Sequence, residues 1–210
     1  MKFLRNHWYD IGAVAGVCLL LFLSFNFRNM PDYRLLMWLN LVTLFFHQAE
    51  EYRIADTFPG MINRVLFHSD LPDRYPLNSN TALVINVGVG WTGYLLAAIV
   101  GEQLIWLGMA TILVSLGNII AHTFLFNFKG KTLYNAGLAT SWFFFAPCVF
   151  FFVKIILKEH LADEADFLIG IPLGILINIF GVLKPISWLA DRNTKFIFSS
   201  RQLLPEDRKI

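Results

Sequence analysis

Charge is what this chain has little of. Charged residues make up 15% of its 210 residues, against about a quarter in an ordinary water-soluble domain. They also cluster between long apolar runs, which excludes a soluble globular fold. The runs are continuous rather than alternating, which excludes a membrane β-barrel. Cysteine is scarcer still: Cys18 and Cys148 lie far apart, both inside apolar runs, so no disulfide framework is expected. No basic helix and no basic–aromatic pattern occurs, which argues against nucleic acid as a partner. A small-x-small cleavage site is missing after the first apolar run, which ends in Asn26-Phe27-Arg28-Asn29. The basic start and GAVAGVCLLLFLSF therefore read as an uncleaved span rather than a signal peptide. The breaks between runs leave no room for a separate soluble unit, so residues 1–210 are expected to form a single integral membrane domain.

What is present is apolar and aromatic: 56% hydrophobic residues, with 21 Phe and 6 Trp. A membrane-crossing helix needs about 20 mostly apolar residues. Six runs meet that need, at about 10–27, 33–50, 81–100, 104–126, 134–157 and 167–189. The expected fold class is all-α, a polytopic transmembrane helical bundle of about six spans. Of the 17 Lys and Arg, all but Arg28, Arg34, Lys154 and Lys158 fall on the side that carries both termini. The excess of basic residues in cytoplasmic loops then predicts cytoplasmic N- and C-termini. The expected location is an integral membrane position, the cytoplasmic (inner) membrane if the chain is bacterial.

Polar residues inside the runs are arranged, not scattered. Each helical residue turns by about 100°, so spacings of three, four and seven share a face. In the second run Asn40, Thr43, His47, Glu50 and Glu51 fall within an arc of roughly 100° by that arithmetic. In the fourth, Thr111, Ser115, Asn118 and His122 fall within about 60°. A polar stripe on a greasy helix must face protein or an internal cavity, because lipid leaves it unsatisfied. Both helices run toward the same side, which predicts His47 and His122 at similar depth. Asn86 on the third run lies at the depth to join them. The stripes Gly90, Gly93, Ala97 and Gly170, Gly174, Gly181 read as helix-packing surfaces, with Asn178 beside the second. His7, His68 and His160 fall in loops or tails and are expected to be solvated.

His47 with Glu50 or Glu51 is an i,i+3 or i,i+4 pair, close enough for both side chains to reach one ion. Helical carboxylate–histidine pairs of this kind hold di-iron centres in bundles, there with the glutamate first. Adding His122 gives a ligand set suited to zinc, iron or manganese. Adjacent glutamates diverge by about 100° on a helix, so one is expected to ligate while the other orients His47 or takes a proton. The same residues also suit metal-free acid–base chemistry. Membrane isomerases of the emopamil-binding kind use histidine, glutamates and a tryptophan that way, and Trp38, Trp91 or Trp142 is placed to supply the aromatic wall.

The run His47-Gln48-Ala49-Glu50-Glu51 resembles the signature of the HXXEE family of small integral membrane proteins. Two further family motifs have counterparts. Asn118-Ile-Ile-Ala-His122 fits NxxxH, and Tyr134-Asn135-Ala136-Gly137 fits YxPG with Ala136 in place of the proline. Phe58-Pro59-Gly60 resembles the family's loop after the glutamates. The matches run from about residue 47 to 140. The family is of unknown function; the resemblance implies that His47, Glu50, Glu51, Asn118, His122, Tyr134 and Gly137 belong to one site.

The leading expectation is a membrane-embedded enzyme with its site toward the cytoplasmic side, acting by hydrolysis or oxidation. A divalent metal is expected on His47, His122 and at least one of Glu50 and Glu51. Asn118, Asn86, Tyr134, Asn40, Thr43 and Ser115 are expected around it, as supporting or substrate-contacting groups. The expected substrate is a membrane lipid or an apolar small molecule. Two alternatives stay open: the metal-free isomerase, and a transporter or ion- or proton-binding membrane protein.

Overall fold

The computed structural model describes residues 2–208, and these form helices and connecting turns with no strand. Seven helices follow one another. They are α1 Lys2–Asn29, α2 Asp32–Ala49 continued through Glu50–Ile54, and α3 Phe58–Gly60 continued through Met61–Leu66. After these come α4 Ser79–Gln103, α5 Ile105–Gly130, α6 Leu138–Glu159 and α7 Glu164–Trp188.

Five of them, α1 and α4 to α7, are long and apolar enough to cross a membrane. The sixth expected span, α2, falls short of that apolarity, and its surroundings explain why. It packs against α1, α4 and α6, and Asn40, His47, Gln48, Glu50 and Glu51 are each 4% exposed or less. A helix sheathed by other helices can carry polar groups that lipid would reject. The outer helices show the inverse pattern, with Phe25, Phe143 and Leu168 among the most exposed residues of the chain.

Two element boundaries differ from the expected runs for identifiable reasons. α1 begins at Lys2 rather than near residue 10, because Trp8 and Tyr9 bury against Tyr52 and carry the helix past the apolar run. α6 begins at Leu138 rather than Tyr134. Gly137 there has φ +104°, a left-handed value that stops a helix from starting earlier.

Small residues set the helix spacing. On α7, Gly170 sits against Met109 and Gly174 against Leu113, both on α5. Gly12 and Gly16 of α1 seat Phe45 and Phe46 of α2. Gly93 departs from the packing expectation, since no neighbour would meet a side chain there.

At one end of the bundle the chain folds back over itself. Asn63 in α3 donates to the Pro72 and Leu77 carbonyls and accepts from the Leu77 amide, closing the 67–78 loop. The C-terminal stretch lies on the same end: Arg201 and Gln202 both donate to the Tyr52 carbonyl. Arg5 of α1 lies 4.0 Å over the Phe196 ring, so the described ends of the chain meet on one face.

α2, α4, α5, α6 and α7 each contain a wide, π-type turn: Glu50–Ile54, Val84–Trp91, Ala121–Phe126, Ser141–Phe145 and Ile177–Leu183. Such turns break the regular progression of side chains and recur at functional sites. Here they hold Glu50, Glu51, Asn86, His122 and Asn178.

Candidate functional site

His47, Glu51 and His122 converge in the interior, each offering one ligand atom, and these atoms all lie within 4.8 Å of one another. His47 Nε2 lies 3.5 Å from Glu51 Oε1, and His122 Nε2 lies 3.3 Å from the same oxygen. The two imidazole rings are 4.9 Å apart and nearly perpendicular. That closeness follows from the stripes on α2 and α5 facing each other at one depth. Phe58 stacks on the outer face of the His122 ring, and Phe126 and Phe145 enclose the pair.

The other ring nitrogens fix the direction of each histidine. His122 Nδ1 lies 2.6 Å from Asn135 Oδ1. The Asn135 amide nitrogen is committed to the His122 carbonyl and to Asn127 Oδ1, so its oxygen must face the ring. Nδ1 of His122 therefore carries a proton, and Nε2 faces Glu51. His47 Nδ1 lies 2.9 Å from the Thr140 hydroxyl, and that hydroxyl donates to Glu50 Oε2 at 2.6 Å. The hydroxyl oxygen is thus left to accept from His47 Nδ1, and His47 Nε2 also faces Glu51.

Neither Nε2 makes a hydrogen bond among the described residues. With both rings neutral, two lone pairs would face one carboxylate oxygen, an arrangement that a cation between them would stabilise. Groups each about 2.1 Å from one ion and at the tetrahedral angle stand about 3.4 Å apart. The two histidine–carboxylate separations of 3.3 and 3.5 Å match that spacing, and all three ligand atoms lie within 4.8 Å of one another. The buried group could therefore hold a metal ion, with three protein ligands and a fourth position left for water or substrate.

Glu50 faces the other way. Its carboxylate accepts from the Tyr134 hydroxyl, the Ala139 and Thr140 amides and the Thr140 hydroxyl. It stands outside the ligand group and orients His47 through Thr140, an arrangement known to fix ring direction and basicity at metal sites. The two glutamates thus make separate contacts, as their divergence on the helix requires. Tyr134 lies outside the spans; burial first, then the Glu50 carboxylate, push its phenol well above the usual range, so it stays a donor at neutral pH.

The remaining expected residues divide into two sets. Asn86 and Asn118 line the site: Asn86 bonds Gln48 and Tyr52, and Asn118 is held to the Val114 carbonyl. Asn40, Thr43 and Ser115 do not reach it. Ser115 bonds Asn40 and Tyr94, and Thr43 lies against Cys148, forming a separate polar layer further along the bundle. Among the tryptophans, Trp91 donates to Gln48, while Trp142 bonds Thr123 at an exposed position.

Two cavities flank Glu51. One of about 200 Å³ is lined by Glu51, His122, Asn118, Phe58, Ile186 and further apolar residues. The other, of about 70 Å³, is lined by Glu51, His47, Asn118, Gly90, Gly93 and neighbours. Gly93, with nothing against it, faces this second space.

Thr140, Asn135 and Gln48 were not singled out from sequence. Asn135 had a signal, as the second residue of the YxPG-like motif, and Gln48 as the second of HxxEE. Thr140 had none, since only the turn at Gly137 brings it beside α2.

No curated protein and no solved structure matches this chain. A family described as proteins of unknown function with an HXXEE motif matches residues 38–152, which hold the ligand group, Asn135, Gly137 and Thr140. The chain belongs to that family.

Proposed function

We propose that the chain is a membrane-embedded, metal-dependent enzyme acting on a lipid-like or apolar substrate. His47, Glu51 and His122 hold a divalent ion, zinc, iron or manganese, and the substrate lies in the cavities beside Glu51. The observation that carries this reading is the pair of buried histidine nitrogens without hydrogen-bond partners, directed at one carboxylate oxygen. Two imidazoles and a carboxylate are a donor set shared by hydrolytic zinc sites and non-haem iron oxygenases. Such an ion supplies Lewis acidity and an activated water or, as iron, oxidising power.

The protein's own groups do the positioning. Thr140 and Asn135 hold the two rings, and Glu50 anchors Thr140. The apolar walls limit water, and Asn86 and Asn118 offer the polar contacts that orient a substrate. Leu125 and Leu183 line the larger cavity yet are exposed on the apolar outer surface. That supports access from the lipid side, between α5 and α7. The expected orientation, with the site toward the cytoplasmic half, belongs to the same proposal.

A second reading, metal-free acid–base catalysis, is favoured by one observation. The chain Tyr134–Glu50–Thr140–His47 links a half-exposed phenol to the buried ring through hydrogen bonds of 2.6–2.9 Å. Such a chain can carry a proton to the site. Elemental analysis of protein purified without chelator separates the readings. The metal reading expects about one ion per chain in the parent and none in the His47→Ala, His122→Ala variant. A metal-free parent rejects it in favour of proton chemistry.

A further inference from the structure

A cavity of about 470 Å³, larger than either beside Glu51, lies outside the candidate site and has a different chemistry. Four segments build it: the first turns of α1, the end of α2, the start of α4, and residues 197–202. Its lining includes the guanidinium side chains of Arg5, Arg53 and Arg201 and the His7 ring, with no carboxylate. The acids paired with its side chains are not part of the lining, and Asp10 also pairs with His7. Asp10 pairs with Arg53 Nε at 3.1 Å, and Asp56 lies 3.8 Å from Arg201 Nε. Arg5 has no carboxylate within 4 Å among the described residues; it rests on the Phe196 ring and reaches Asn80 at 3.4 Å. Three cations are thus gathered around one concavity with only two acids to offset them.

We propose that this cleft binds the phosphate group of an anionic ligand. Guanidinium forks match the geometry of phosphate oxygens, and several converging on one space are the usual means of holding them. Trp8 and Tyr9 in the wall are residue types found at the level of lipid headgroups. A phospholipid headgroup and a soluble phosphate ester share the chemistry, and the test below separates them. The proposal does not depend on the metal reading, since the buried Tyr52 stands between the cleft and the larger site cavity and lines both.

The test uses the full chain purified in detergent, titrated calorimetrically with inorganic phosphate. In parallel it is placed in phosphatidylcholine nanodiscs with or without phosphatidic acid and examined by native mass spectrometry. The parent is compared with Arg5→Gln, Arg201→Gln and Arg192→Gln, the last an exposed arginine paired with Asp70 away from the cleft. Losing one charge-assisted contact is expected to weaken binding by about tenfold or more. Arg192→Gln should bind as the parent does. Saturable inorganic phosphate binding assigns a soluble ligand; retention of phosphatidic acid alone assigns a headgroup; both support the cleft. Arg201→Gln also loses a bond to Tyr52, so if it does not fold, the half-exposed Arg5→Gln decides. Equal binding by parent and Arg5→Gln, an equal loss in Arg192→Gln, or no binding of either probe by the parent overturns the proposal.

Discussion

Asn135 Oδ1 lies 2.6 Å from His122 Nδ1 while the Asn135 amide nitrogen is held by the His122 carbonyl and Asn127. The asparagine is thereby held with its oxygen toward the ring, so that Nδ1 carries a proton. Nε2 then faces Glu51.

Replacing Asn135 by Ala should release that control while leaving all three ligands in place. Loss of a group that orients a ligating histidine weakens metal affinity by about 10- to 100-fold. Competition titration against a coloured chelator measures it. Unchanged affinity would mean that the ring needs no outside partner.

Gly137→Ala should damage the same ring from the other side. Gly137 has φ +104°, and a side-chain carbon there would overlap the His122 imidazole. The backbone strain alone costs roughly 1–2 kcal/mol. Thermal unfolding in detergent should fall by several degrees, and metal content should fall with it. A variant that retains both would show that the turn yields easily.

Glu50 and Glu51 should separate cleanly when each is changed to Gln. Glu51→Gln removes a ligand and should lose the metal with little change in folding. Glu50→Gln should keep the metal but loosen the 134–140 turn, because one carboxylate holds three residues there. The loss is on the order of 2 kcal/mol, from charge-assisted bonds weakened to neutral ones. Hydrogen exchange at the Ala139 and Thr140 amides measures it. Equal metal loss in both variants would contradict the division of roles.

Filling the larger cavity should remove ligand binding without touching the metal. Ala121→Phe projects from the residue beside His122 into the space of about 200 Å³. Lipid-like molecules that copurify with the parent, followed by mass spectrometry, should be absent from the variant, with metal content unchanged. Undiminished lipid in Ala121→Phe would place the substrate elsewhere.

The sequence carries the helices and half of the site plainly. The apolar runs place the long helices because a membrane span has a fixed length. His47 and Glu51 share a helix face by spacing alone, and His122 joins them because its stripe ends at the same depth. Length alone counts α2 as one more span, since periodicity shows that a face is polar but not how many helices cover the rest. Asn40, Thr43 and Ser115 share the stripe yet stop short of the site, because angle around a helix says nothing of distance along it. Thr140 is invisible in advance: a short turn with a left-handed glycine, not a repeat, carries it to His47.

The central claim is that one ion sits between His47, Glu51 and His122. X-ray absorption at the edge of the metal in the purified parent tests it most directly. The account predicts two imidazole nitrogens at about 2.0–2.1 Å and a carboxylate oxygen at about 2.0–2.2 Å, with the imidazole signal lost in the His47→Ala, His122→Ala variant. A bound metal surrounded only by oxygen, or no metal at all, would contradict it.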